Sequence, residues 1–269
     1  MEMTFATSAD GTSIGFDRLS TDGPALVLVG GGLDDGSENI AIGEHLADTF
    51  AVIDYRRRGR GDSGDVAPYA VQREVEDLAA VIDAAGGRAH LFGASSGGAL
   101  ALEAAAAGLP IERIAVYEVP YLLGDSMLAA WRTYREDLEV ALEMGHRDEA
   151  LRLFMRLAGS TDAQIAAAEA APVWARLRSL APTLRYDAAC LGDGPPPTAR
   201  LRSVTQPVLL ATGIDLDANS AGLPADFFGA AADEAAASLP HAERRTLDHA
   251  GHIADPQILG PILREFFNR

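Results

Sequence analysis

The chain has 269 residues, which is long enough for one large α/β domain with an insertion. Of these residues 48% are hydrophobic and 23% charged, a globular composition that excludes extensive disorder. All 22 basic residues are arginine, and the net charge of −17 excludes nucleic acids and anionic membranes as partners. The absence of lysine excludes Schiff-base chemistry, lysine-bound pyridoxal phosphate and a GxxxxGK phosphate loop.

Three further features bear on the compartment and on covalent chemistry. A single cysteine, Cys190, excludes an internal disulfide and a multi-cysteine zinc site. No apolar run approaches the roughly 20 residues that span a bilayer. The start, Met1-Glu2-Met3-Thr4, has neither the basic flank nor the apolar stretch of a signal peptide. We therefore expect a cytoplasmic protein.

Short apolar runs alternate with helical patterns through the first part of the chain. The predicted strands there are residues 4–6, 13–17, 25–29, 50–54, 90–93 and 114–117. The predicted helices are residues 38–46, 71–84 and 97–107. The fully apolar run at residues 25–29 is typical of a parallel strand that is covered on both faces.

The pattern changes at about residue 122, after which only helical periodicity is found up to residue 200. Strands and helices then alternate again. The predicted elements there are strand 207–211, helix 227–239, strand 244–247 and an amphipathic helix 256–267. This organisation predicts a doubly wound α/β sheet interrupted by an all-helical insertion.

The motif Gly93-Ala94-Ser95-Ser96-Gly97 matches G-x-S-x-G and lies between a predicted strand and a predicted helix. A sharp turn there would hold the Ser95 hydroxyl at the carboxyl edge of the sheet, beside the N–H groups and positive dipole of the helix. The small neighbours on both sides permit that turn. We therefore predict Ser95 as a nucleophile.

A serine nucleophile needs a base, and histidines occur at six positions: His45, His90, His146, His241, His249 and His252. His90 lies in the strand before the motif and is predicted to be structural. His249 and His252 come after the last predicted strand, and Gly251 allows the loop to turn His252 towards the serine. We predict His252 as the base. No HExxH motif or third ligand accompanies the pair, so no metal is expected.

The acid that orients the histidine has three candidates. Glu118 follows the strand that ends at Tyr117, and the turn at Val119-Pro120 favours a positioned side chain. Asp215 and Asp217 follow the next strand along the chain. All three should lie at the same sheet edge as the serine, so Glu118, Asp215 and Asp217 remain alternatives.

An oxyanion hole needs two backbone donors, and a Ser95 nucleophile would use the N–H of Ser96 as one of them. The glycines at 30–32 follow the apolar strand and allow backbone N–H groups to approach a ligand closely. We predict Gly32 as the second donor, with Leu33 as the alternative.

A second glycine pattern, Gly59-Arg60-Gly61-Asp62-Ser63-Gly64, matches G-x-G-x-x-G. A dinucleotide fingerprint should follow the first parallel strand and needs an acid at the end of the next strand. Here that next strand ends in Phe92-Gly93. We expect no nucleotide and no other cofactor.

Together these segments resemble the α/β-hydrolase superfamily in order and over nearly the whole chain. Residues 93–97 resemble its nucleophile elbow, residues 30–32 stand where members usually carry a His-Gly pair, residues 58–63 are similar to its R-G-x-G-x-S loop, and Ala250-Gly251-His252 is similar to its terminal histidine segment. Two departures are Gly30 in place of the usual histidine and Asp215-Leu216-Asp217 in place of a single aspartate.

The resemblance implies a mostly parallel eight-stranded sheet, with residues 1–120 and 201–269 as the core and 121–200 as a helical cap. Tyr117-Glu118-Val119-Pro120 and Gly192-Asp193-Gly194 resemble a bacterial subgroup of single-domain hydrolases, in which the carboxylate after the sixth strand is the acid. The cap would line a substrate pocket with apolar side chains, predicted as Met127, Trp131, Tyr134, Phe154, Met155 and Trp174.

The predicted function is a serine hydrolase that acts on a small ester, thioester or lactone through a Ser-His-acid triad and an acyl-enzyme. Two alternatives stay open. One is a repurposed fold that acts as a lyase, a cyclase or a ligand-binding protein. The other is a cofactor-free haloperoxidase. A small-molecule substrate is the expected partner, and the sequence leaves a homodimer open.

Overall fold

The computed structural model describes residues 4–269, and its centre is one eight-stranded sheet. The expectation about a signal peptide rests on the first four residues, of which the first three lie outside the described residues. The strands are β1 (Thr4–Thr7), β2 (Ser13–Arg18), β3 (Ala25–Val29), β4 (Ala51–Tyr55), β5 (Ala89–Ala94), β6 (Ile111–Tyr117), β7 (Val208–Asp215) and β8 (Ala242–Ala250).

The strand order is β1-β2-β4-β3-β5-β6-β7-β8. β1 pairs with β2 and β2 with β4 in antiparallel fashion, and every later pair is parallel. The carboxyl ends of β3, β5, β6, β7 and β8 therefore meet at one edge, where ligands bind in open α/β sheets. The predicted doubly wound, mostly parallel sheet is confirmed.

Helices connect the strands. They are α1 (Ile40–Leu46), α2 (Val71–Ala84), α3 (Ser96–Ala106), α4 (Asp125–Glu143), α5 (Arg147–Leu157), α6 (Asp162–Glu169), α7 (Val173–Leu180), α8 (Leu184–Leu191), α9 (Thr198–Leu201), α10 (Phe227–Ala236) and α11 (Pro256–Phe267). The segment from α4 to α9 joins β6 to β7, and all of its described elements are helical. No helix among residues 4–269 is both long and apolar enough to cross a bilayer.

The core has two layers, one on each face of the sheet. Alternate residues of β3 point to opposite faces, as a strand requires. Val27 and Val29 join the cluster that α2, α3 and α10 cover, whereas Leu26 and Leu28 join the cluster that α1 and α11 cover. This two-sided burial explains why β3 contains only apolar residues.

Two strands extend three or more residues beyond their predicted carboxyl ends. β7 continues four residues beyond its predicted end at residue 211, to Asp215, and β8 reaches Ala250. His249 therefore lies inside β8 and not after it, which corrects its predicted place. The two strands stay paired in parallel up to Asp215 and Ala250, and this backbone pairing does not depend on an apolar side-chain pattern.

Candidate active site

Ser95 lies at the turn between β5 and α3. Its backbone angles are φ 53° and ψ −129°, a conformation that residues other than glycine rarely adopt. The turn is tight because β5 and α3 approach each other closely. A Cβ atom at Gly93 would lie 2.6 Å from the carbonyl oxygen of Gly97, and one at Gly97 would overlap the carbonyl oxygens of Val29 and Gly30. The two glycines of the motif are therefore required by space, and they present Ser95 at the sheet edge.

His252 and Glu118 form a direct pair at the same edge. Nδ1 of His252 lies 2.8 Å from Oε2 of Glu118, and the other carboxylate oxygen accepts a hydrogen bond from the N–H of Gly213 at 3.0 Å. Glu118 is 3% exposed and has a positive φ of 50°. The imidazole stacks on the ring of Phe228 with centroids 5.0 Å apart. These contacts fix the ring plane of His252.

The loop that carries His252 is held by its main chain as well. The hydroxyl of Tyr117 donates to the carbonyl oxygen of Gly251 at 2.6 Å, and the N–H of His252 donates to Oδ2 of Asp217 at 3.2 Å. Oδ1 of Asp217 accepts from the N–H groups of Asn219 and Ser220. Burial alone would raise the pKa of Asp217, but these backbone donors lower it below its ordinary value.

The three predicted acids thus have different places. Glu118 contacts the ring of His252, Asp217 contacts the backbone of His252, and Asp215 is exposed at the end of β7. Nε2 of His249, the other histidine of the pair near the end of the chain, lies 3.2 Å from the carbonyl oxygen of Ile253. Within residues 4–269, no group of three or more His, Cys, Asp and Glu side chains is arranged to hold a metal.

Residues 30–33 follow β3 and run past the serine. A Cβ atom at Gly31 would lie 3.0 Å from Cβ of Ser95, so a larger residue there would have to shift the serine turn by a few tenths of an ångström. Leu33 has a positive φ of 60°. Gly31, Gly32 and Leu33 line the same cavity as Ser95 and His252. The structure therefore brings the predicted donor segment next to the predicted nucleophile.

The cavity has a volume of about 370 Å³ and lies between the sheet edge and the helices that join β6 to β7. Five of the six side chains predicted to line it do so: Met127, Trp131, Tyr134, Phe154 and Met155. Trp174 is not among the lining residues, and its indole N–H donates to Asp148 at 2.8 Å. Helical periodicity could not separate the two roles, because it does not show which helix face meets the sheet.

Three carboxylates line the cavity, namely those of Glu38, Asp187 and Asp217, and no arginine does so among the described residues. Glu38 keeps part of its side chain in contact with solvent, but the protein packed around it removes enough water to raise its pKa. The neighbouring Asp34 carboxylate adds to this effect, and the pKa of Glu38 reaches about 7. Glu38 therefore changes charge close to neutral pH.

A buried ionic cluster behind the serine was not predicted from the sequence, where residues 58–63 stood out only as a segment similar to the R-G-x-G-x-S loop. Oδ1 of Asp187 accepts hydrogen bonds from Ser96 Oγ, Arg57 Nη1 and Arg60 Nη2, each 2.7 Å long. Burial would raise the pKa of Asp187, but Arg60 and Arg57 hold it below its ordinary value. Four arginines within five residues directly after a buried strand were the available signal.

Residues 26–258 match the alpha/beta hydrolase family. An alpha/beta hydrolase from Sphaerobacter thermophilus DSM 20745 is 43% identical with a TM-score of 0.86, over 98% of this chain and 100% of that chain. The enol-lactonase from Burkholderia xenovorans LB400 is 21% identical with a TM-score of 0.68, over 98% of both chains, and shares the fold.

A curated relative matches over a shorter stretch. The uncharacterized hydrolase YraK from Bacillus subtilis (strain 168) is 29% identical over 155 residues, and the chain spans about half of its length, 55%. The match over residues 26–258 covers well over half of the chain, and it agrees with the sheet order and the turn at Ser95. The chain therefore belongs to the alpha/beta hydrolase family.

Proposed function

We propose that this protein is a serine hydrolase that cleaves a small, uncharged ester, thioester or lactone with an apolar acyl group. The observation that carries the proposal is the 2.8 Å contact between Glu118 and His252 in a cavity that Ser95 also lines. A strained serine, an imidazole and a carboxylate that holds the imidazole are the three parts that this chemistry needs.

In the proposed reaction, Oγ of Ser95 attacks the carbonyl carbon of the substrate while Nε2 of His252 takes the hydroxyl proton. Glu118 accepts a hydrogen bond from Nδ1–H, which keeps Nε2 free as the base and stabilises the imidazolium. The tetrahedral intermediate then expels the alkoxide or thiolate, which receives the proton from His252. Water attacks the acyl-enzyme by the same route and releases the acid and Ser95.

The oxyanion of each intermediate would be bound by the N–H groups of Ser96 and Gly32. Ser96 begins α3, so its N–H lies at the positive end of the helix dipole. In enzymes with oxyanion holes, each donor of this type stabilises the transition state by about 3–4 kcal/mol.

The preference for an uncharged substrate follows from the lining of the cavity. Its charged members other than His252 are the carboxylates of Glu38, Asp187 and Asp217. A substrate carboxylate would meet no opposite charge there and would lose hydration, which is costly in a partly dry site. The apolar side chains that α4 and α5 contribute, such as Trp131 and Phe154, favour an apolar acyl group instead.

The helices between β6 and β7 would serve as the cap of this site, with residues 121–200 as the cap and residues 1–120 and 201–269 as the core. The support is that the cavity lies between the two parts. The names of an enol-lactonase and of a thermophilic esterase from Thermogutta terrifontis among the structural neighbours favour ester-type substrates.

A fluorophosphonate probe tests the nucleophile. We expect one probe molecule per chain by intact mass, and no labelling of Ser95→Ala. Ser203→Ala, which removes an exposed hydroxyl, should label like the wild type. A wild-type chain that resists the probe would favour the ligand-binding or lyase alternative.

Two matched esters test the substrate class: 4-nitrophenyl hexanoate and the 4-nitrophenyl monoester of adipic acid. We expect a kcat/KM at least about tenfold higher for the hexanoate, because a charge buried without a partner costs more than 1 kcal/mol. The ratio should rise as the pH passes 7, since Glu38 is neutral below its pKa of about 7 and negative above it. In Glu38→Gln this rise should disappear. Equal rates for both esters would contradict the proposed substrate class.

A further inference from the structure

A buried ionic cluster lies directly behind the proposed oxyanion hole. Its centre is Oδ1 of Asp187 on α8, which accepts hydrogen bonds from Ser96, Arg57 and Arg60. The two arginine side chains are 1% exposed and that of Asp187 is 7% exposed. Arg57 also pairs with Glu74 at 2.7 Å, so two positive and two negative charges balance in the interior. None of these groups takes part in the proposed proton transfers.

The same two arginines also bind the glycine segment, residues 30–32, which follows β3. Nη1 of Arg60 donates to the carbonyl oxygen of Gly31, and Nη1 of Arg57 donates to that of Gly30 at 3.3 Å. A peptide unit is planar and trans, so the direction of the Gly31 carbonyl sets the direction of the Gly32 N–H. Arg60 therefore aims the N–H that is proposed as the second oxyanion donor.

The other proposed donor is held through its own side chain. The Ser96 hydroxyl donates to Asp187 at 2.7 Å, so the first residue of α3 is tied to the carboxylate that also holds Arg57 and Arg60. One carboxylate oxygen thus joins both walls of the oxyanion hole. The glycine segment needs such support because three successive residues without Cβ atoms have much conformational freedom.

We propose that Asp187 is a positioning residue that aligns the two oxyanion donors, the Ser96 N–H through the Ser96 hydroxyl and the Gly32 N–H through Arg60. The inference rests on the proposed function, because it concerns the oxyanion hole of that reaction. Asp187 belongs to the helical segment between β6 and β7, so the proposal makes activity depend on how that segment is seated on the sheet.

The substitution Asp187→Asn tests this role, and Asp77→Asn is its matched control. Asp77 forms a pair with Arg58 at 2.7 and 2.8 Å, and both side chains are at most 1% exposed. The other bonds of Arg58 lead to Asp10 and to the carbonyl of Arg73, not to residues 30–33. Both variants therefore lose the negative charge of a buried ion pair. In Asp187→Asn, Arg57 and Arg60 keep only Glu74 as a counter-charge, and the neutral amide oxygen binds them and Ser96 more weakly, so only this variant loosens the oxyanion donors.

We expect Asp187→Asn to lower kcat about 100-fold for 4-nitrophenyl hexanoate while KM changes less than about threefold, because the donors act in the transition state. Asp77→Asn should lower the melting temperature but leave kcat within about threefold of the wild type. An equal loss of kcat in the two variants would refute the positioning role, because it would then reflect only weakened packing.

Amide hydrogen exchange gives a readout that does not depend on activity. Asp187→Asn should speed exchange in the peptide that contains residues 30–33 at least about tenfold, and Asp77→Asn should not. Unchanged exchange would overturn the proposal even if activity fell. If the wild type neither hydrolyses esters nor binds the fluorophosphonate, the proposed function fails, and exchange still decides whether Asp187 holds the segment.

A gentler variant covers the case in which Asp187→Asn does not fold. Ser96→Ala removes only the hydroxyl that Asp187 binds and keeps the backbone N–H. We expect the melting temperature of this variant to lie within about 3 °C of the wild-type value. Its kcat should be about tenfold lower than that of the wild type, and its KM should be unchanged. A kcat equal to that of the wild type would contradict the part of the proposal that concerns Ser96.

Discussion

The Glu118 side chain is held on both sides of its carboxylate. Oε2 contacts Nδ1 of His252 at 2.8 Å, and Oε1 accepts from the N–H of Gly213 at 3.0 Å. Its own N–H donates to the carbonyl oxygen of Ala211, so the backbone is anchored to β7 as well. A carboxylate with both oxygens occupied has one orientation, as an orienting acid requires.

We predict that Glu118→Gln lowers kcat for 4-nitrophenyl hexanoate at least about 100-fold, because an amide facing Nδ1 stabilises the wrong tautomer of His252. Asp215→Asn is the exposed control and should leave kcat within about twofold. Asp217→Asn should lower kcat less than about tenfold, because Asp217 binds only the backbone N–H of His252 and the amide oxygen keeps one of its two sets of backbone bonds. Steady-state kinetics at one pH measures all three, and a larger loss in Asp217→Asn than in Glu118→Gln would contradict the assignment.

At the same scale, the motifs located Ser95 and His252 in the sequence, and both line the same cavity in the structure. Their catalytic roles stay predictions until the variants are tested. The acid was left among Glu118, Asp215 and Asp217, because all three follow neighbouring strands and the sequence does not show where each loop turns. The contact with the imidazole supports Glu118.

The turn from β5 to α3 is the element on which the site depends. A Cβ atom at Gly97 would overlap the carbonyl oxygens at the end of β3, so the strand, the turn and the glycine segment are packed without spare room. This packing joins the serine to residues 30–33. A change of one methyl group there should therefore affect both the fold and the chemistry.

We predict that Gly97→Ala lowers the free energy of unfolding by at least about 2 kcal/mol through overpacking and lowers fluorophosphonate labelling at least about tenfold. Gly108→Ala is the control. It introduces a side chain at φ 86° after α3 with nothing within 4 Å, so it should cost about 1–2 kcal/mol and leave labelling unchanged. Urea unfolding and the labelling rate measure the two effects. A normal labelling rate in Gly97→Ala would contradict the requirement for space.

Most elements could be predicted because their residues form regular apolar patterns. α2 at Val71–Ala84 and α11 at Pro256–Phe267 have the predicted bounds. α1 begins at Ile40 and not at residue 38 as predicted, since Oδ1 of Asp34 binds the N–H groups of residues 36–38 in a turn. Boundaries set by a polar hydrogen bond leave no trace in apolar periodicity.

At the scale of the whole molecule, the pH dependence of stability includes the protonation of a carboxyl group buried in the sheet. Asp54 in β4 is 3% exposed and its Oδ1 has no hydrogen-bond partner among the described residues. Burial, with the nearby Asp34 carboxylate, raises the pKa of Asp54 well above its ordinary value of 3.8. The folded state therefore holds a proton that the unfolded chain releases above about pH 4, so this contribution to stability falls as the pH rises towards the folded pKa.

We predict that Asp54→Asn raises the melting temperature, and that the gain at pH 8 exceeds the gain at pH 5 by at least about 3 °C. The amide cannot ionise. In the wild type, each pH unit above the unfolded pKa lowers the free energy of unfolding by about 1.4 kcal/mol for as long as the folded state keeps the proton. In a domain of this size, 1 kcal/mol corresponds to about 2–4 °C in melting temperature. The exposed Asp22→Asn should show no such difference. Thermal unfolding at the two pH values is the measurement, and a gain that shrinks with pH would contradict the sign.

The sequence by itself determined the order of strands and helices, the helical segment before β7 and the positions of the serine and histidine motifs, because these features depend on neighbours within a few residues along the chain. Only the tertiary structure decided that Glu118 meets His252, that Trp174 turns away from the cavity and that Asp187 on α8 binds Ser96, Arg57 and Arg60. The Glu118–His252 and Asp187 contacts join residues 91 to 134 positions apart. Such contacts arise from how loops and helices pack on the sheet, and local patterns of polarity do not specify this.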